Sequence, residues 1–194
     1  MTEGSPTDRL RDEADQILGS GLMAVLSGHG EVHVVGSYAL GLMTWRDLDV
    51  HVVREDTSVE DFFALGGSIA SLLKPHRMHF RDEARVATEG LPRGLYWGVY
   101  LGDERAGAWK IDVWLTDRAG FEPTRKFGER LASRLTDENR KVIVSIKEAS
   151  WRHPEYRRGF TSSDIYSAVL ERGVRDVAGF WSDLKMTKGI TPSE

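Results

Sequence analysis

The sequence predicts an α/β fold followed by a lobe made of helices. Residues 34–53 contain two short apolar runs with turn and helix signals between them, as expected for a strand, a short helix and a second strand. Residues 94–102 and 108–116 are two further strand-like runs, and the polar, glycine-ended segment between them is typical of a hairpin loop. From Phe121 onward, apolar residues recur at helical spacing.

Helices and strands alternate in the N-terminal part. A first helix is expected to begin at Ser5 and Pro6 and to continue to Gly28. A later helix begins after Ser58, a residue type preferred at N-caps, and is ended by Pro75. The remaining expected elements are strands at 31–36, 46–54 and 77–81 and a short helix at 37–44.

The C-terminal part is expected to contain helices only. Pro123 can begin one helix, and Thr136 can cap another. Thr161 and Asp164 have the spacing of a capping box ahead of a long helix that continues to Leu184. The expected domains are therefore the α/β part at 1–118 and the helical lobe at 119–194.

Two acidic residues lie two positions apart in the second strand. Because side chains alternate between the faces of a strand, Asp47 and Asp49 point to one face and the aliphatic residues between and after them point to the other. Like charges this close raise each other's pKa unless a cation lies between them. A divalent metal ion is the obvious cation.

Two other positions extend this pattern. Gly36 and Ser37 follow the first strand and offer backbone amides and a hydroxyl where a phosphate could bind. In the last strand, Asp112 shares a face with Lys110 and Trp114, whereas the aliphatic residues beside it face the other way. We therefore expect Asp112 to face a site and not the core.

This arrangement resembles the metal-binding core of the nucleotidyltransferase superfamily, which includes DNA polymerase beta, the aminoglycoside and lincosamide nucleotidyltransferases and the minimal nucleotidyltransferases. The family pattern is Gly-Ser, a short spacer, Asp-x-Asp in an apolar strand and a third carboxylate on a later strand. The matching residues here are Gly36, Ser37, Asp47, Asp49 and Asp112. The resemblance implies the nucleotidyltransferase fold, a small mixed sheet flanked by helices.

The resemblance also implies a reaction and a set of ligands. It implies magnesium-dependent transfer of a nucleoside monophosphate from a nucleoside triphosphate to an acceptor hydroxyl, with two magnesium ions. Asp47 and Asp49 would bind the nucleotide-bound ion, and Asp112 would join them at the second. Ser37, beside Gly36, would hold the β- or γ-phosphate.

Other side chains have a structural explanation beside a functional one. Lys147 and Arg140 could reach the triphosphate from the helical lobe, or they could form a solvated helix face. Glu89 is a candidate general base in a loop-like segment. His51 shares the face of the acidic pair and could lie beside the metal, although the rim of a half-buried strand explains it as well. Base stacking or hairpin packing could explain the aromatic residues Tyr96, Trp97, Tyr100, Trp109 and Trp114.

Composition limits the partners. The 194 residues include no cysteine, which excludes disulfides and thiolate metal sites. A net charge of −4 argues against a protein that coats long nucleic acid or an anionic membrane, and weakly favours a small-molecule acceptor such as an antibiotic. No apolar run approaches the length of a membrane span, and the N-terminus is charged, so we expect a cytoplasmic protein. A homodimer is expected by analogy with antibiotic-modifying relatives.

Three alternatives remain open from the sequence. The acceptor could be a protein side chain or an RNA end, as for some minimal relatives. The chain could instead be a non-catalytic nucleotide-binding or antitoxin-like protein that keeps the fold. A glycosyltransferase also uses Asp-x-Asp to bind a metal and a nucleotide sugar, but that family does not require the upstream Gly-Ser or a third Asp on a hairpin.

Overall fold

The computed structural model describes residues 6–56 and 58–192, so the helix start predicted at Ser5 lies outside the described residues. The chain divides into two compact units, Met1–Glu129 and Arg130–Glu194. Each unit is described by itself below. The domain assignment made from the sequence stays a prediction.

The first unit alternates helices with strands, as expected. Its helices are α1 (Pro6–Ile17), α2 (Met23–Ser27), α3 (Gly36–Leu40) and α4 (Val59–Leu73), and α5 (Arg118–Ala132) begins in it. Its strands are β1 (Glu31–Val35), β2 (Asp47–Val53), β3 (Arg77–Asp82), β4 (Leu95–Tyr100) and β5 (Lys110–Thr116).

The five strands form one sheet in the order β1-β2-β5-β4-β3. Strands β2 and β5 are parallel, and every other neighbouring pair is antiparallel. The sheet is therefore mixed, which confirms the expected α/β class. The hairpin predicted around residues 94–116 is the β4–β5 pair, and the strand predicted at 77–81 is β3.

One face of the two central strands is entirely aliphatic. Leu48, Val50 and Val52 of β2 are fully buried, and so are their counterparts on β5. Apolar residues of α1, α2 and α4, among them Leu26 and Phe62, pack in the same cluster. Full burial of one such side chain stabilises the fold by about 1.5–3 kcal/mol. The helices thus hold β2 and β5 from one side, and the acidic residues lie on the other.

The prediction of one continuous first helix is wrong. A π-helical segment, Leu18–Leu22, separates α1 from α2, and Gly21 within it has a φ of 110°. Only glycine adopts such a backbone without strain. The apolar pattern continues across the break because Leu18, Leu22 and Leu26 all stay buried, and this continuity is why the pattern predicted a single helix.

The second unit contains α6 (Asp137–Ser150), α7 (Ser162–Leu170) and α8 (Val177–Lys188). The predicted N-caps at Thr136 and Thr161 are confirmed, each with a reciprocal capping box. The single long helix predicted from Thr161 to Leu184 is wrong, because the backbone turns between α7 and α8, where Gly173 has a φ of 72°. None of the helices described is long and apolar enough to cross a membrane.

Helix α5, which runs from one unit into the other, also differs from the prediction. It begins at Arg118, so Pro123 lies inside the helix instead of at its start. Pro123 is the sixth residue of α5 and lies beyond the first four, whose amides have no partner within the helix, so it removes one hydrogen bond from the helix. The proline therefore lies in the N-terminal part of the helix but does not mark its first residue.

Candidate active site

Strand register brings the three predicted carboxylates to one face of the sheet. Asp49 of β2 lies directly opposite Asp112 of β5, and Asp47 lies opposite Lys110. Neighbouring strands are about 4.8 Å apart. Val35, the residue before the Gly-Ser pair, lies opposite Asp49 on the other side of β2. The Gly-Ser pair and the three acids Asp47, Asp49 and Asp112 are therefore neighbours on the adjoining strands β1, β2 and β5.

Asp112 is a largely buried carboxylate with two close donors. Its side chain is 14% exposed. The Tyr96 hydroxyl donates a hydrogen bond of 2.6 Å to Oδ1, and the Lys110 ammonium donates one of 2.6 Å to Oδ2. Burial raises the pKa of Asp112, and the neighbouring Asp47 carboxylate raises it further, while Lys110 and Tyr96 act in the opposite direction.

Lys110 lies between two of the carboxylates. Its Nζ is 2.6 Å from Asp112 Oδ2 and 3.7 Å from Asp47 Oδ1, and its side chain is only 11% exposed. Asp47 also accepts a hydrogen bond of 3.2 Å at Oδ2 from the Trp45 indole. A positive charge therefore already offsets part of the negative charge that this face of the sheet accumulates.

Tyr96 reaches Asp112 across a position that has no side chain. Gly98 of β4 lies opposite Asp112, and a Cβ at Gly98 would be 2.6 Å from the Tyr96 hydroxyl oxygen. Burial, followed by the charge of Asp112, raises the pKa of Tyr96 far above its ordinary range. The hydroxyl therefore stays protonated and acts as a donor to Asp112.

The Gly-Ser turn packs directly against the second carboxylate. Gly36 has a φ of 63°, and a Cβ at this position would overlap Asp49 Oδ2 and lie 3.1 Å from its Cγ. A residue with a side chain would be strained at this φ and would displace Asp49. Gly36 is therefore required both by the backbone and by the close approach of the turn to the carboxylate, and it places Ser37 beside the acidic cluster.

The carboxylates fit magnesium in chemistry but would have to reorient to bind it. Among residues 6–56 and 58–192, no three His, Asp or Glu side chains stand so that they could hold a metal ion. Asp112 is turned toward its hydrogen-bond donors, and Asp47 toward Trp45. Carboxylate oxygens are nonetheless the ligands that magnesium prefers, and the repulsion between Asp47 and Asp112 is what a cation would relieve. Their assignment as metal ligands, with Asp49, stays a prediction.

His51 lies farther along β2 and is buried. Its ring is 5.1 Å from that of Phe121 and 6.1 Å from that of Trp114, and it also pairs across the sheet with His33. Burial, with a smaller contribution from His33, lowers the pKa of His51 to about 4. The imidazole is therefore a neutral part of an aromatic layer, and not the polar rim residue that the sequence suggested.

The remaining candidates are placed as follows. Glu89 is exposed in the segment between β3 and β4, whereas Glu83, which the sequence did not single out, is buried and accepts a 2.7 Å hydrogen bond from the Thr88 amide. In the second unit, Lys147 is fully buried within α6 and Arg140 is half-buried. Their proposed contacts with a triphosphate stay predictions.

Sequence reasoning missed the residues that position the carboxylates. Strand parity placed Lys110 on the same face as Asp112, but it gave no sign that the ammonium bridges two acids. The roles of Tyr96 and Trp45 depend on the register of β4 against β5 and on the turn before β2. A lysine two residues before an acidic strand position is the one signal that could have been used.

No family model and no curated protein matches the chain. Solved structures do match. A cytoplasmic RNA terminal U-transferase aligns with a TM-score of 0.57 and 15% identity, covering 82% of this chain and 47% of that one. The poly(U) polymerase Cid1 bound to Mg and 3′-dATP gives 0.58 and 16%, covering 84% and 49%. The polymerase core of the RNA surveillance complex TRAMP gives 0.56 and 15%, covering 81% and 49%.

The chain spans about half the length of these matched structures. At such identities the similarity concerns the fold. This similarity in fold agrees with three features of the chain: the mixed sheet, the Gly-Ser turn after β1 and the acidic residues on neighbouring strands β2 and β5. The chain therefore has the same fold as these structures, the nucleotidyltransferase fold, as its sequence predicted.

Proposed function

We propose that this protein is a magnesium-dependent nucleotidyltransferase, which moves a nucleoside monophosphate from a nucleoside triphosphate to an acceptor hydroxyl. The observation that carries this proposal is the pairing of Asp49 with Asp112 across β2 and β5, with Asp47 one step along the same face. The matched structure of Cid1 with Mg and a nucleotide bound supports the cofactor and the substrate class.

In this reaction the acceptor oxygen attacks the α-phosphorus while the bond to the pyrophosphate oxygen breaks, so negative charge develops on both oxygens. Magnesium, as two ions by analogy with the family, would supply the positive charge that stabilises both oxygens and lowers the pKa of the attacking hydroxyl. Asp47 and Asp49 would hold the nucleotide-bound ion, and Asp112 would join them at the second. Because β2 and β5 are packed from their other face, these carboxylates are held on a rigid support, which limits reorganisation during the reaction.

The triphosphate would be held beside the carboxylates by the Gly-Ser turn. Since Gly36 has no side chain, its backbone lies close to Asp49, and Ser37 is the next residue along the chain. We propose that Ser37 donates to a β- or γ-phosphate oxygen.

Two acceptor classes are proposed, each with its own supporting observation. One matched structure is a cytoplasmic RNA terminal U-transferase, which supports an RNA end as the acceptor. The net charge of −4 supports a small neutral or cationic acceptor, such as an antibiotic, since an acidic protein attracts polyanions poorly. In both cases the same bond forms and the same pyrophosphate leaves.

The test is nucleotide transfer from a labelled triphosphate, measured as pyrophosphate release and as labelled product. Short RNA and a panel of hydroxyl-bearing small molecules serve as acceptors in parallel. We expect D49N and D112N each to lower the rate at least about 100-fold, because a lost ligand removes several kcal/mol of transition-state stabilisation.

The matched control is D56N, which removes an exposed carboxylate just after β2 and should leave the rate unchanged. Transfer by D49N at the wild-type rate would refute the metal assignment. Tight binding of ATP with magnesium in calorimetry, with no pyrophosphate released for any acceptor, would instead favour the non-catalytic alternative.

A further inference from the structure

Lys110 stands out among the basic residues of the first unit because its ammonium lies inside the acidic cluster. Nζ is 2.6 Å from Asp112 Oδ2 and 3.7 Å from Asp47 Oδ1. The side chain begins on β5 directly opposite Asp47, so both carboxylates are within reach of its flexible stem.

Electrostatics explain why a cation is needed at this place. Asp47 and Asp112 are 17% and 14% exposed, so water screens their repulsion only partly. Asp49 adds a third acid on the same face, directly opposite Asp112 and two residues after Asp47. Without a positive charge, folding would have to bring several carboxylates together against mutual repulsion.

We propose that Lys110 is the resident cation of the metal-free site, and that its ammonium and magnesium compete for the carboxylates. The inference rests on the proposed metal site. In the metal-free protein the ammonium holds Asp47 and Asp112 together. Asp112 would hold magnesium through an oxygen that Nζ already contacts, so Lys110 would weaken magnesium binding while it keeps the carboxylates together in the absence of the ion.

This role makes Lys110 a positioning residue, and it separates two effects that a purely structural lysine would not separate. Loss of a purely structural lysine would lower the unfolding temperature by the same amount with and without magnesium. A resident cation is needed most when no metal is present, and its loss leaves a site with more net negative charge and therefore a higher affinity for magnesium.

The experiment is thermal unfolding of the full chain in EDTA and across a MgCl2 titration, for wild type, K110M and K110R. The matched control is K141M, which removes an exposed lysine of α6. In EDTA we expect K110M to unfold several degrees below wild type. In the titration, its midpoint temperature should rise more steeply and reach half of its shift at a magnesium concentration at least about tenfold lower. K110R keeps the positive charge and should follow wild type, as should K141M.

Each outcome decides between the ideas. If wild type is stabilised by magnesium and K110M responds at the same concentrations, the inference about Lys110 is overturned while the metal site stands. If magnesium stabilises neither protein, the metal site and the proposed function are overturned together. A response in K110M alone supports the inference in its strongest form.

A second variant covers the case in which K110M does not fold. The double variant K110M/D112N also removes one of the negative charges that Lys110 offsets, so it should fold. The difference in unfolding temperature between the double variant and D112N should be smaller than the difference between K110M and wild type. If the double variant also fails to fold although D112N folds, Lys110 has another structural role and the inference is overturned.

Discussion

Replacing Gly36 with alanine tests whether the Gly-Ser turn and the carboxylates form one unit. Gly36 has a φ of 63°, and the added methyl group would overlap Asp49 Oδ2. A left-handed backbone costs a non-glycine residue about 1–2 kcal/mol. Relieving the overlap moves either the carboxylate or the turn, and overpacking of this kind costs about 1–3 kcal/mol more. We expect G36A to lose about 2–5 kcal/mol of unfolding free energy in total.

The matched control is G173A, which isolates the backbone contribution. Gly173 has a φ of 72°, close to that of Gly36, but a Cβ there would meet no atom within 4 Å. G173A should therefore lose only about 1–2 kcal/mol. The difference between the two variants reports the contact with Asp49.

The free energies of unfolding of G36A and G173A come from urea unfolding followed by circular dichroism. Nucleotide transfer is measured on the same preparations. If Asp49 is a metal ligand, its displacement should lower the rate of G36A by about 100-fold, since errors of about 1 Å in catalytic geometry have effects of that size. G173A should keep the wild-type rate. Equal stability losses in the two variants, with an unchanged rate in G36A, would show that the turn and the carboxylate are not coupled.

Two further predictions concern stability. The pKa of His51 is lowered from 6.5 to about 4, so the stability that depends on its neutral form is fully present above pH 6.5 and is lost as the pH falls toward 4, by about 3 kcal/mol. Urea unfolding between pH 4 and 8 should show this loss in wild type and not in H51Q. Parallel plots of unfolding free energy against pH for the two proteins would refute the prediction. In α4, G67A should raise the free energy of unfolding by about 0.5–1 kcal/mol because a Cβ there meets nothing within 4 Å. G66A should lower it by about 1–3 kcal/mol because its Cβ would be 2.8 Å from the Trp97 ring. The reverse order in the same assay would contradict the packing described.

The fold could be predicted from the sequence because every second residue of the two central strands is aliphatic, from Leu48 to Val52 and from Ile111 to Leu115. Leu48 and Val50 are buried and Asp49 between them faces away, so this alternation predicted which face packs against the helices. Helix continuity was harder to predict. Periodicity reports which positions are buried, and buried positions continue across the break at Gly21 even though the backbone does not. The turn at Gly173 was missed for the same reason.

The placement of the three acids on one face could be predicted from the sequence, whereas the contacts of the residues around them could not. Asp47, Asp49 and Asp112 are set by position along their own strands, and each strand is a local pattern. Lys110 and Tyr96 act across strands, so their roles follow from register, which depends on pairings between segments far apart in the sequence. No local pattern carries that information.

Two glycines show why a search for acidic residues describes this site incompletely. Because Gly36 has no side chain, the turn can approach Asp49 closely. Because Gly98 has no side chain, the Tyr96 ring can lie across it and its hydroxyl can donate to Asp112. In each case a group packs closely against the carboxylate because a neighbouring residue is glycine. Negative charges can be gathered on one face only if the groups that orient them fit between the strands, so small residues beside the acids are as much a part of this site as the acids themselves.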